Sequence, residues 1–242
     1  MRSMLVCIIF VGVGVVRMSA SDWDEGLEDE ALWEEESNEE LVEGSDPIEG
    51  INRLIFRFND SLYEYVFSPV AEGYAWLVPI AVREAVGNFF YHWAFPVRGV
   101  NSVLQGKLEW AAQEMALFIV NSSVGLLGFF DAGQNYFGME EPPSEDFGQT
   151  LGYWGVGPGV YLVLPVIGPT TTRDLVGSLV DGYLTPINYL QDSLRYPLRT
   201  EEFLNESPDL IERYRAVKQI ALSPYTSLRN AYYQRRSSEV DE

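Results

Sequence analysis

The sequence predicts an all-α protein built of short amphipathic helices and an irregular ridge rich in glycine and proline. Three observations predict it. Apolar residues recur at three- and four-residue spacing from Ile48 onward, all 13 prolines lie from Pro47 onward, and residues 147–172 carry no charge over 26 positions. The spacing is that of one helix face, and prolines cut helices into pieces. An uncharged run broken by six glycines and three prolines is neither a spanning helix nor an ordinary solvated loop, so it is expected to be a partly buried apolar ridge.

Composition removes several functions. The 242 residues carry 36 acidic and 16 basic side chains, a formal net charge of −20, whereas nucleic acid is bound by basic surfaces. With one cysteine and one histidine there is no disulfide framework and no Cys/His zinc site, and neither a metal nor a cofactor is expected. Twelve of the carboxylates fall between Asp22 and Glu43 without a single base. Residues 22–45 therefore read as an acidic, disordered arm, a tether in preference to an acidic docking peptide. Ahead of it, Arg2, the apolar run Met4 to Val16 and the small residues Ser19, Ala20 and Ser21 follow the order of a secretory signal over residues 1–21, with a short N-terminal anchor that stays as the alternative. The run is too short to cross a hydrocarbon layer of ~30 Å. The folded domain is expected over residues 46–236, with a disordered tail over 237–242.

Asp46, Pro47 and Glu49 supply an N-cap, a first-turn proline and a carboxylate at the positive end of the helix dipole. Ile48, Ile51, Leu54, Ile55, Phe58, Leu62, Tyr65 and Val66 then predict one amphipathic helix to about Phe67. Pro69, Pro79 and Pro96 are expected to cut the following stretch into short helices. A longer helix is expected from about Lys107 to Asn121. It joins an uncharged stretch, Met115 to Phe130, which reads either as a buried core helix or as a hairpin dipping partway into lipid. Within the ridge, Tyr161 to Ile167 suits a short core strand as an alternative. A helix follows Pro169, and Thr200-Glu-Glu and Ser207-Pro-Asp are read as two further helix openings. From Arg213 to Arg236 there are six basic residues and no acidic one. This end suits an anionic membrane face, a solvated helix face, or neutralisation of the acidic arm.

An enzyme is the competing class. His92 could act as general base, oriented by Glu84 or Asp174, with Ser102 as nucleophile in a lipid hydrolase. There is no G-x-S-x-G elbow in the chain, and His92 sits among aromatic residues where packing is the commoner role. A third class is a structural envelope protein that merely packs against other envelope proteins.

The blocks DPIEGINRLIFRFNDSLYEYVFSPVAEGY (46–74), FPVRGVNSVLQGK (95–107), NSSVGLLGFFDAG (121–133), EDFGQTLGYWGVGPGVYLVLPVIGPTTTRD (145–174) and SPYTSLRNAYYQRR (223–236) resemble, in this order, the VacJ/MlaA family of outer-membrane phospholipid-transport proteins. The resemblance implies a ring of short helices in the periplasmic leaflet of the outer membrane, around a central amphipathic pore. Through it, mislocalised phospholipid leaves the outer leaflet and passes to a soluble periplasmic lipid carrier. It also implies association with an outer-membrane trimeric porin, and no covalent chemistry. The family's gating helix falls on Phe56, Phe58 and Asn59, where packing is the simpler role of Phe58 and a surface amide that of Asn59. Gly152, Gly155, Gly157 and Gly159, with Tyr161, fall on the signature loop of the lipid pathway, where glycine-only backbone conformations also explain the glycines.

Arg173 and Asp174 are candidate headgroup or partner contacts, or a local ion pair at a helix start. Trp76, Trp93, Trp110 and Trp154 are rings suited to a membrane interface. One departure is Cys7, which stands near the start of the apolar run instead of at its end. It makes no lipobox and is expected to leave with the signal, so attachment would rest on apolar surface alone.

Overall fold

The computed structural model describes residues 46–242. The signal at 1–21 with Cys7, and the acidic arm at 22–45, lie outside the described residues. Helix α1 (Glu49–Leu62) passes through a π-helical turn (Tyr63–Phe67) into α2 (Ser68–Leu77). Pro69 therefore does not cut the helix as expected. The Ser68 N–H bonds back to the Tyr63 carbonyl, a wide turn that opens the hydrogen-bond ladder where proline cannot donate. The break comes at Val78 and Pro79, and α3 (Ile80–Trp93) leaves at 111° to the helix before it.

Next come α4 (Phe95–Leu104), with proline in its first turn, and α5 (Leu108–Ser123). The uncharged stretch after α5 turns through left-handed backbone at Leu126, Leu127 and Gly128. Met115, Ile119, Val124, Leu126 and Phe130 are exposed, so a buried core helix is excluded there. Short α6 (Ala132–Phe137) and α7 (Phe147–Tyr153) follow, the second opened by a capping box between Asp146 and Gln149.

The glycine- and proline-rich ridge is thus only in part irregular. It begins as α7, runs without regular structure over residues 154–160, and ends in an antiparallel hairpin of β1 (Tyr161–Leu164) and β2 (Gly168–Thr171). The strand alternative is the one the chain adopts. Val163 faces Pro169 in the register. The Val163 N–H points away from β2, toward Asn52, so this pair needs no donor from proline. Helix α8 (Thr172–Leu184) starts directly from β2, capped by Thr171, and a 3-10 turn (Pro186–Tyr189) leads to α9 (Asp192–Ile220).

Helix α9 is continuous, so the two openings expected at Thr200 and Ser207 do not exist. Pro208 deprives the Leu204 carbonyl of its usual donor, and the Ser207 hydroxyl supplies one at 2.8 Å. The last helix, α10 (Pro224–Asp241), runs through the expected tail at 237–242. Arg236 holds it there, pairing with Glu239 at 2.7 Å.

Burial is inverted relative to a water-soluble protein. The small apolar core centres on Tyr161, Val163, Tyr225, Tyr232 and Tyr233. Buried polar and charged residues outnumber the buried hydrophobic ones, while Trp76, Leu77, Ile80, Leu108, Phe130, Tyr136 and Leu222 stand exposed. Exposed apolar surface on this scale marks a partner or a membrane. Among the described residues no single helix is long and apolar enough to cross a membrane.

Candidate functional site

Helix α1 presents three faces, and the residues on each were set by spacing. Asn52, Asn59 and Tyr63 lie on one face, seven and four residues apart, and all three reach the hairpin. The Asn52 amide donates to the Tyr161 carbonyl at 3.0 Å and accepts the Val163 N–H at 2.9 Å. Two turns on, the Asn59 amide donates to the Leu164 carbonyl and accepts the Val166 N–H, both at 2.8 Å. The Tyr63 hydroxyl donates to the Val166 carbonyl at 2.7 Å. The free edge of β1 is therefore completed by side chains of a helix. Val166 has φ of +73°, an outlier for a β-branched residue; its N–H is held from α1 and its carbonyl from the π-helical turn that follows.

The second face of α1 carries charge toward the C-terminal helices. Lys218 reaches Asp60 at 2.5 Å, and the Tyr214 hydroxyl donates to the same carboxylate at 2.7 Å. Arg215 meets Glu72 at 2.9 Å and Glu64 at 3.8 Å. Together with Arg229 near Asp46, Arg235 on Glu239, and Arg236, most of the basic C-terminal run is paired with carboxylates of the folded body. Neither a bare membrane-facing stripe nor an unpaired solvated face describes it. The third face holds Ile51, Leu54 and Phe58, all exposed.

Phe58 and Asn59 thus exchange the simple roles expected of them. Phe58 is 54% exposed and Asn59 only 3%. Phe56 packs edge-on against Tyr225 at 5.7 Å beside the tyrosine core. Tyr161, expected along the lipid pathway, is 1% exposed in that core.

The four ridge glycines divide by cause. Gly155 and Gly159 have φ of +88° and +73°, where side chains are strained. Gly152 is closely packed: a Cβ there would lie 2.6 Å from a Val240 methyl and 2.8 Å from the Arg173 guanidinium, and both side chains would have to shift. Gly157 has open space around it.

Arg173 is buried, Asp174 is half-buried, and both belong to an ionic knot. Arg236 pairs bidentately with Asp146, at 2.8 and 3.0 Å, and with Asp174 at 2.8 Å. Asp174 also accepts from the Tyr232 hydroxyl at 2.6 Å, the Thr171 hydroxyl at 2.7 Å and Arg173 at 3.0 Å. Burial would raise the Asp174 carboxyl, but the Arg236 charge and these donors hold it well below the usual carboxylate range. The knot ties together α7, α8 and α10. Beside it, Asp181 accepts from the Phe147 N–H and the Asn101 amide, both within 3.2 Å.

The tryptophans differ from one another. Trp76 is 84% exposed and Trp154 52%, the latter with its indole N–H on the Leu104 carbonyl at 3.3 Å. Trp110 lies under Lys107 at 4.3 Å. The Trp93 indole N–H is buried and meets no acceptor among the described residues. His92 stacks on Phe118 at 4.5 Å and lies 3.0 Å from the Ser122 hydroxyl. Neither Ser102, which donates to the Arg98 carbonyl, nor Asp174 is its hydrogen-bond partner.

An open groove of about 460 Å³ separates α2 from α9. Ala71, Ala75, Ile211 and Ala216 line it, and Glu72, Glu212 and Arg215 mark its charged part. Sequence reasoning missed the groove, the Asn52 contact and the partners of Arg236. Only the two asparagines gave a local sign, polar residues seven apart on an otherwise apolar helix.

A short-helix fold with an ionic interior and an apolar exterior defines a protein whose surface is built to meet a partner or a membrane. Residues 44–239 match the model of the MlaA lipoprotein family, and the chain belongs to that family. It is 33% identical over 193 residues to the intermembrane phospholipid transport system lipoprotein MlaA of Escherichia coli K12, covering 79% of this chain and 76% of that one. An uncharacterized protein of Rickettsia bellii is 33% identical over 199 residues, covering 81% and 76% of the two chains. A solved structure concerned with maintenance of bacterial outer membrane lipid asymmetry superposes with a TM-score of 0.72 at 30% identity, over 81% of this chain and 99% of the other.

Proposed function

We propose that this chain is the outer-membrane component of intermembrane phospholipid transport and that it keeps the outer membrane asymmetric by removing mislocalised phospholipid. The observation that carries the reading is the inverted burial. Exposed Trp76, Leu77, Ile80 and Phe130 seat the helices among acyl chains, at ~25 cal/mol per Å² of apolar surface removed from water. The polar interior offers a route that a headgroup tolerates.

The chain lies in the periplasmic leaflet as a ring around an amphipathic passage, receives lipid from the outer leaflet beside a trimeric porin, and releases it to a soluble periplasmic carrier. The hairpin acts as the movable wall, with Asn52, Asn59 and Tyr63 as its latch. No covalent step is needed, because the lipid that enters is the lipid that leaves. His92 and Ser122 pack the turn after α5 against α3.

The test is lipid analysis. Protein extracted in mild detergent should carry phospholipid, and deletion of the gene should raise phospholipid at the cell surface. A processed chain that is freely water-soluble and never carries lipid would overturn the reading.

A further inference from the structure

We propose that the groove between α2 and α9 receives the headgroup of a zwitterionic aminophospholipid, with its ammonium between Glu72 and Glu212 and its phosphate on Arg215. The inference rests on phospholipid being the cargo and adds which headgroup is preferred.

The groove has the size of a small-molecule site, about 460 Å³ within a usual range of ~300–1,000 Å³. Its alanines, Ala71, Ala75 and Ala216, leave room between the helices. On the neighbouring face of α2, next to Glu72, Trp76 is exposed. Acyl chains can lie along that face while the headgroup turns into the groove.

Charge selects the ligand. Arg215 is the one cation lining the groove, beside the carboxylates of Glu72 and Glu212, and its contacts to Glu72 and to Glu64 are 2.9 and 3.8 Å. Lys218, one turn on, is engaged by Asp60 at 2.5 Å, so it does not balance the excess. Glu72 and Arg215 keep side-chain exposures of 64% and 38%. Ion pairs this exposed are weak, so a ligand can replace Glu72 on Arg215 at small cost.

A phosphate then gains the planar fork of the guanidinium. The carboxylates set free accept the N–H donors of a primary ammonium. Phosphatidylethanolamine satisfies both ends. Phosphatidylglycerol brings a net negative charge to an already negative groove, and the choline headgroup has no N–H to donate.

The full chain in mild detergent, offered equal amounts of dioleoyl phosphatidylethanolamine and dioleoyl phosphatidylglycerol, is examined by native mass spectrometry. The expected ratio of bound lipids favours phosphatidylethanolamine by about two- to fivefold, the range that exposed charge pairs supply. In the double variant Glu72→Gln, Glu212→Gln the ratio falls to about one or below. Arg215→Gln lowers both adducts, and phosphatidylglycerol more than phosphatidylethanolamine, because the groove loses its cation. These side chains are exposed and the variants should fold, which circular dichroism checks. A wild-type ratio of one, or a ratio unchanged in the double variant while lipid still binds, overturns the headgroup assignment alone. Absence of any phospholipid adduct overturns the cargo reading itself.

Discussion

Asn59 accepts the N–H of Val166 at 2.8 Å while donating to the Leu164 carbonyl at the same distance. One amide on a helix thus satisfies two backbone groups of a turn whose central valine has φ of +73°. Helix α1 and the hairpin move together or the turn loses its partners.

Asn59→Leu leaves the Val166 N–H and the Leu164 carbonyl unpaired. The expected cost is about 1–3 kcal/mol, seen as a lower midpoint of thermal unfolding in detergent. Lipid flow should become less controlled, read as a change in surface-exposed phospholipid. Asn59→Ser, which keeps an acceptor, should be milder. Equal effects of the two variants would separate the hydrogen bonds from the function.

Gly177 and Gly73 both sit inside helices, where alanine is intrinsically preferred by up to about 1 kcal/mol. A Cβ on Gly177 would lie 2.4 Å from the backbone nitrogen of Gly148, whereas nothing stands within 4 Å of one on Gly73. Gly73→Ala should therefore stabilise the protein by about 0.5–1 kcal/mol. Gly177→Ala should destabilise it by more than that, because two backbones must part. Chemical denaturation of the pair gives the opposite signs directly.

Burial lifts the Asp181 carboxyl to about 7, and the charge of Asp146 adds to the lift despite the Phe147 N–H and the Asn101 amide. The unfolded chain ionises near the ordinary value of 3.8, so the folded state binds the proton more tightly. Stability from this group is complete below about pH 4 and is lost as pH rises through about 7. Asp174, held low by Arg236 against its burial, contributes above about pH 4 and loses its contribution as pH falls further. Asp181→Asn should flatten the first loss, and Asp174→Asn should remove the second contribution. Unfolding midpoints measured across the acid and neutral range distinguish the two variants by opposite slopes.

Ser122→Ala removes the hydroxyl that faces His92 at 3.0 Å and should cost about 1 kcal/mol with lipid transport retained. His92→Ala also loses the stack on Phe118 and should be less stable yet still active. Complete loss of transport in a well-folded His92→Ala protein would restore the hydrolase alternative.

Much of the architecture was legible in sequence, but which face of each helix is buried was not. Periodicity grouped Ile51, Leu54 and Phe58 on one face of α1, and they do share a face. It did not reveal that this face is exposed while Asn52 and Asn59 are buried, because a helical period says which residues stand together and not what they meet. Proline was over-read. At Pro69 a π-helical turn, and at Pro208 the hydroxyl of Ser207, repair the ladder, and neither repair is written in local propensity. The hairpin was visible only as an alternative, since glycines and prolines that permit its turn also mark irregular chain. The ionic knot was hidden by distance along the chain. Arg236 finds its partners 90 and 62 residues away at Asp146 and Asp174, and no spacing rule joins them.

The ionic interior has a calorimetric consequence. The heat capacity gained when proteins unfold comes from wetting apolar groups, whereas wetting polar groups lowers it. A molecule that keeps its carboxylates, amides and guanidinium groups inside, and whose greasy surface is already solvated by amphiphile, has little new oil to show to water. Its unfolding should carry well under ~12–15 cal/mol/K per residue, and its stability should bend only gently with temperature.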